Sequence, residues 1–184
     1  MAQSNPVSPQ LTRLSKTMAW LATLGAILLP VVAAACFLFP GRLTDWTVFR
    51  LTHTGVAVTA QIPQTYRALA LALYLIPTGF EVWAMWSLRR LFLLYAKGEV
   101  FSQSAIAAIN HVAAGLFWSV IAGLFLEAPV SLALSWPQGH GHRAISIGFG
   151  SDDLLWLFVA GTVLAIARVM AEARRVADEN AGFV

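Results

Sequence analysis

Charge is what this sequence has least of. Only 11% of its 184 residues are Asp, Glu, Lys or Arg, against about 25% in an ordinary soluble domain, so it lacks the polar surface needed to face water on every side. Cysteine is nearly missing as well. Cys36 stands alone, which excludes an internal disulfide and leaves it a small apolar residue suited to helix packing. The sequence has no phosphate-binding glycine loop, no nucleophile beside a base and no cysteine cluster, so the common nucleotide-binding, hydrolytic and redox motifs are excluded. No cofactor is implied. The chain reads as no enzyme, because no acid, base and nucleophile meet at matched depth.

What is there is apolar: 58% of the residues are hydrophobic and the mean hydropathy is +0.70. A helix crossing the hydrocarbon core of a bilayer needs roughly 20 such residues, and four runs approach that length. Residues 18–39 carry no charge, 68–88 contain one acid, Glu81, and 105–126 end just before Glu127. The fourth, 154–170, reaches spanning length by including Arg168, whose stem can lie in the apolar layer while its head reaches the interface. The first run exceeds the core of about 7–15 residues of a cleaved leader, so it is read as a span. The expected fold class is an all-α membrane protein with four transmembrane helices, one membrane domain over 17–184 behind a tail 1–16 whose Pro6 and Pro9 favour disorder.

Basic residues set the expected orientation, since Lys and Arg gather on the cytoplasmic side. Arg13, Lys16, Arg89, Arg90, Lys97, Arg168, Arg174 and Arg175 fall on one side, and only Arg42, Arg50, Arg67 and Arg143 on the other. Both termini are therefore expected in the cytoplasm. The net charge of +3 is accounted for by topology, and no direct nucleic-acid binding is expected.

Residues 40–67 and 127–153 are then exported loops. In the first, Trp46 and Phe49 are suited to the headgroup layer, and the β-branched stretch 56–59 suits an extended segment. The second opens with Pro129 and is glycine-rich, which reads as turn. His140 and His142 are weak metal candidates: two imidazoles supply two ligands where a stable site wants three or four, so a solvated turn is the simpler reading. Ser151, Asp152 or Asp153 would cap the fourth helix.

The link between the second and third spans is a tight helical corner within 89–104. "RRLFLLYAK" continues the second helix, and Gly98 supplies the left-handed residue that ends it. Ser102 would cap the third helix, with Phe101 and Ile106 forming a hydrophobic staple. If both helices run antiparallel from this corner, facing positions sum to about 200. Glu81 then faces Ser119, and Arg89 and Arg90 face Asn110 and His111. An ionisable group inside a bilayer is a functional candidate by default, and Pro77 and Gly79 beside Glu81 loosen the helix there. Glu127 reads as an end-of-helix residue. Beyond the last span, Arg168 with Glu172, Arg174 with Asp178 and Arg175 with Glu179 are spaced for ion pairs on a helix that projects from the membrane.

The segment "SLRRLFLLYAKGEVFSQSAIAAINHVA", 87–113, resembles the signature of a bacterial family of small four-helix membrane proteins, domain of unknown function 2975. Its most specific part is the Lys-Gly-Glu-x-Phe-Ser turn at 97–102, and "DDLLWLFVAGTVLAIARVMAEARRVADEN", 152–180, resembles the family's last span and charged terminus. Ser104, where relatives tend to carry Asn, and the "AGFV" end depart from the pattern. Family genes often neighbour one for a small helix-turn-helix regulator. The resemblance therefore implies an inner-membrane protein that tunes or sequesters such a regulator, with Lys97, Gly98, Glu99, Phe101, Ser102, Arg175 and Glu179 as docking residues. The alternative is a small transporter, or transporter subunit, using Glu81 with Asn110 and His111. So narrow a bundle would then be expected to form a homo-oligomer.

Overall fold

The computed structural model describes residues 9–40, 58–139, 143 and 145–181. Among them every regular element is helical: α1 Pro9–Leu38, α2 Gln64–Ala96, α3 Gln103–Ser135 continued by a short 3-10 turn Trp136–Gln138, and α4 Ser151–Ala181. All four α-helices are long and apolar enough to cross a membrane. The segment 41–57, holding Trp46, Phe49 and the first half of the expected extended stretch 56–59, lies outside the described residues, as do His140 and His142.

Small residues make the helix contacts. On α1 the buried face is Ser15, Ala19, Ala22, Ala26 and Ala33, while Trp20, Leu28 and Val31 point outward. Such a face lets backbones approach closely, which matters in lipid because apolar side chains there gain little by leaving the tails. The closest approach is between α2 and α3. A Cβ placed on Gly115 would lie 2.8 Å from the Ala84 Cβ and 2.9 Å from the Phe80 carbonyl oxygen, so only glycine fits. Facing positions here sum to 195–199, close to the expected register.

Each helix packs chiefly on its successor in sequence. Two apolar clusters close the bundle at opposite ends. At the loop end Ala33, Phe37, Leu71 and Leu134 of α1, α2 and α3 pack with Val58 and Ile62, and Arg67 donates to the Leu38 carbonyl, 3.1 Å, satisfying an oxygen left free where α1 ends. At the corner end Leu91, Ala105, Ala108, Ile109 and Ala167 join α2, α3 and α4. α4 is the least covered helix, exposing Leu155, Phe158 and Val169 along its length.

α3 runs further than the sequence reading gave it. It passes through Pro129 to Ser135, so the first nine residues of the expected exported loop are helix and Glu127 lies within it. A proline inside a spanning helix is tolerated in a membrane protein: Pro129 removes only the donor that the Phe125 carbonyl would have used, and the helix continues, with Ser131 donating to the Ala128 carbonyl at 2.9 Å.

Candidate functional site

The corner is built by local cap chemistry. α2 ends in a Schellman motif: Gly98, at φ 83°, donates to the Tyr95 carbonyl, and Glu99 donates to that of Leu94, both 3.0 Å. Ser102 then caps α3, its Oγ accepting from the Ala105 N–H at 3.1 Å. Lys97 is the C-cap of α2. The expected staple is not a buried contact, for Phe101 keeps 61% of its surface exposed.

The far end of α4 reaches this corner. Arg174 donates to the Phe101 carbonyl at 3.2 Å, across 73 residues of chain. Between the two elements lies an open groove of about 670 Å³, lined by Gln103 and Ile106 of α3 and by Ala171, Arg174, Arg175 and Glu179 of α4. Arg175 pairs with Glu172 and, at 3.8 Å, with the expected Glu179. Glu172 thus takes Arg175 in place of the expected Arg168. The side chain of Asp178 lies outside the described residues.

A second site sits between the two apolar clusters. All four helices line a cavity of about 380 Å³. α2 contributes Tyr74, Thr78, Glu81 and Met85, and α3 contributes Leu116, Ser119 and Gly123. Glu81 and Ser119 are thus brought together, as the register requires. Asp153 and Trp156 close the α4 side, and no Lys, Arg or His is in the lining. From Met85 to Tyr74 the cavity follows roughly 16 Å of helix rise. Asp153 also accepts from the Gly150 N–H at 2.8 Å, the reach-back of a capped helix start.

Asn110 and His111 are not part of this cavity. His111 is on the exposed face of α3, its ring 5.5 Å from that of Trp83, and Arg89 lies over Trp86, 5.0 Å from the ring centre. The ring contacts of this level are thus His111 with Trp83 and Arg89 with Trp86. Among the described residues no three His, Cys, Asp or Glu side chains are placed to hold a metal.

Sequence reading missed the role of Glu127. It is buried, and its two carboxyl oxygens accept from the Ser146 hydroxyl at 3.2 Å and the Gly148 N–H at 2.9 Å. One turn on, the Ser131 Oγ accepts from the Ser146 N–H at 3.0 Å. The segment 145–149 is latched to α3 with alternate residues inward, and Ile145, Ile147 and Phe149 are exposed. That period-two pattern, "ISIGF", was the available signal. Arg143 stacks over Trp136, 3.9 Å from the ring centre, at the same end.

No curated protein and no solved structure matches this chain. The family model described as "Protein of unknown function (DUF2975)" matches residues 10–182. With nearly its whole length covered, including the corner and all four helices, the chain belongs to that family.

Proposed function

We propose that this is a non-catalytic, multi-pass protein of the bacterial cytoplasmic (inner) membrane, with both termini inside, that regulates a cytoplasmic helix-turn-helix transcription factor by holding it against the corner 97–102 and the end of α4. One observation carries the reading: the Arg174 bond to the Phe101 carbonyl joins two segments far apart in sequence into one surface. That surface has an exposed aromatic residue, Phe101, beside charged Lys97, Glu99, Arg175 and Glu179. An aromatic anchor with a polar rim is the usual make-up of a protein contact. The Schellman turn and the Ser102 cap hold Phe101 in place before any partner arrives, which lowers the ordering cost of binding.

The test is photo-crosslinking in native membranes with benzoylphenylalanine at position 101, followed by mass spectrometry. A DNA-binding regulator is expected among the adducts, and Arg174→Glu should remove it while the protein still inserts. Adducts with lipid and with a second copy alone would overturn the reading.

A small transporter using Glu81 is the second reading, favoured by the cavity around that residue. The apolar cluster of Leu91, Ala108, Ile109 and Ala167 lies between the cavity and the corner. This arrangement suits a blind pocket better than a through path.

A further inference from the structure

We propose that the Glu81 cavity is a binding site for a small lipophilic organic cation, an aromatic amine or quaternary ammonium of about one ring. The site follows from the chemistry its walls present. Glu81 and Asp153 are its two acidic groups, and no base in the lining offsets them. Asp153 has the Gly150 N–H as a partner, whereas Glu81 has no base in the lining; an acid within a bilayer is costly to ionise alone, and a bound cation offsets that cost.

The hydroxyls beside Glu81 point to the same ligand class. Thr78 donates to the Tyr74 carbonyl at 2.9 Å, and Ser119 donates to the Leu116 carbonyl at 2.8 Å. Their hydrogens are thus engaged by the backbone, and what remains for an occupant is oxygen lone pairs. Among the lining side chains only the Tyr74 hydroxyl and the Trp156 indole N–H could donate to an anion, which would otherwise meet two acidic groups and two acceptor oxygens. A cation finds attraction at each. Tyr74 and Trp156 add aromatic rings to the lining, and aromatic rings attract ammonium groups.

Size and access limit the ligand further. The volume of about 380 Å³ is at the small end of ligand pockets, about 300–1,000 Å³. Leu29, Met85, Leu116 and Val120 make the rest of the wall apolar. The lining reaches the start of α4 at Asp153, whereas the opposite end is closed by the Leu91–Ala167 cluster. The ligand therefore enters from the loop end or from the bilayer beside α4, passing Asp153 before Glu81. Binding does not depend on the docking surface and can be read with no regulator present.

The experiment is equilibrium binding of tritiated benzyltrimethylammonium to the full chain in nanodiscs of neutral phosphatidylcholine. Neopentylbenzene, the uncharged analogue of the same shape, serves as competitor. Saturable binding is expected, with neopentylbenzene competing at least tenfold more weakly than the unlabelled cation. Glu81→Gln should weaken binding tenfold or more. Gly123→Leu should abolish it with Glu81 intact, because the Gly123 Cβ position meets nothing within 4 Å and a leucine there fills the cavity without a clash. Equal competition by the neutral analogue would mean an apolar pocket filled by lipid and would overturn the proposal. So would unchanged binding in a folded Gly123→Leu or Glu81→Gln protein, or no saturable binding to the wild type.

Discussion

Glu81 and Glu127 are both acids on the inner side of a four-helix bundle, and they are treated in opposite ways. Glu127 has each oxygen occupied by a donor from the segment 145–149, one a hydroxyl and one a backbone N–H. Glu81 faces a cavity whose lining holds no cation and another acid. A satisfied acid at the end of a bundle is a structural tie. An acid facing a cavity with no counter-charge is the kind of group whose retention needs a function outside the fold. Position along the membrane does not separate the two cases. The hydrogen bonds do.

The contrast can be broken most forcefully at Glu127. Glu127→Ala should cost about 2–4 kcal/mol, because it strands the Ser146 hydroxyl and the Gly148 N–H and removes a charge-assisted acceptor. Reversible unfolding in mixed micelles would measure it, and limited proteolysis near position 145 should rise in parallel. A value near zero would mean that the latch does not hold the segment.

A smaller effect is expected in the wall that sets the depth of Glu81. Gly115→Leu should cost about 1–3 kcal/mol by overpacking against Ala84 and Phe80, whereas Gly123→Leu, only two turns away, should be tolerated within about 1 kcal/mol. If both behaved alike in the same unfolding assay, the close approach at Gly115 would not be what limits side-chain size there.

The smallest effect belongs to Glu81 itself. Glu81→Gln removes an acid that no base in the cavity offsets, so stability should stay within about 1 kcal/mol of wild type and shift, if at all, upward. A loss as large as that of Glu127→Ala would place Glu81 among the structural ties and erase the comparison.

The corner was legible in the sequence because its chemistry is local. Gly98 and Ser102 act through atoms three to five residues away, and such spacing is written in the order of residues. The four spans were legible for the same reason, being runs of one solvent preference, and the antiparallel register followed once the corner was placed. The Glu127 latch was hidden because its partners are 19 and 21 residues away, and because Pro129 looks like a helix stop although α3 continues to Ser135. That His111 meets Trp83 depends on how α3 is rotated about its own axis, which the order of residues alone does not state. The Arg174 contact with the corner could not be read at all, since it depends on how α4 lies against α3.

The thin attachment of α4 has a mechanical meaning. It is the helix with the least surface to give up on moving, and Trp156 at the cavity and Arg174 at the corner belong to the same rigid rod, about 27 Å apart along its axis. α4 is one continuous helix with no proline to hinge it. Whatever shifts Trp156 therefore also moves Arg174, and the two ends of the bundle share a lever.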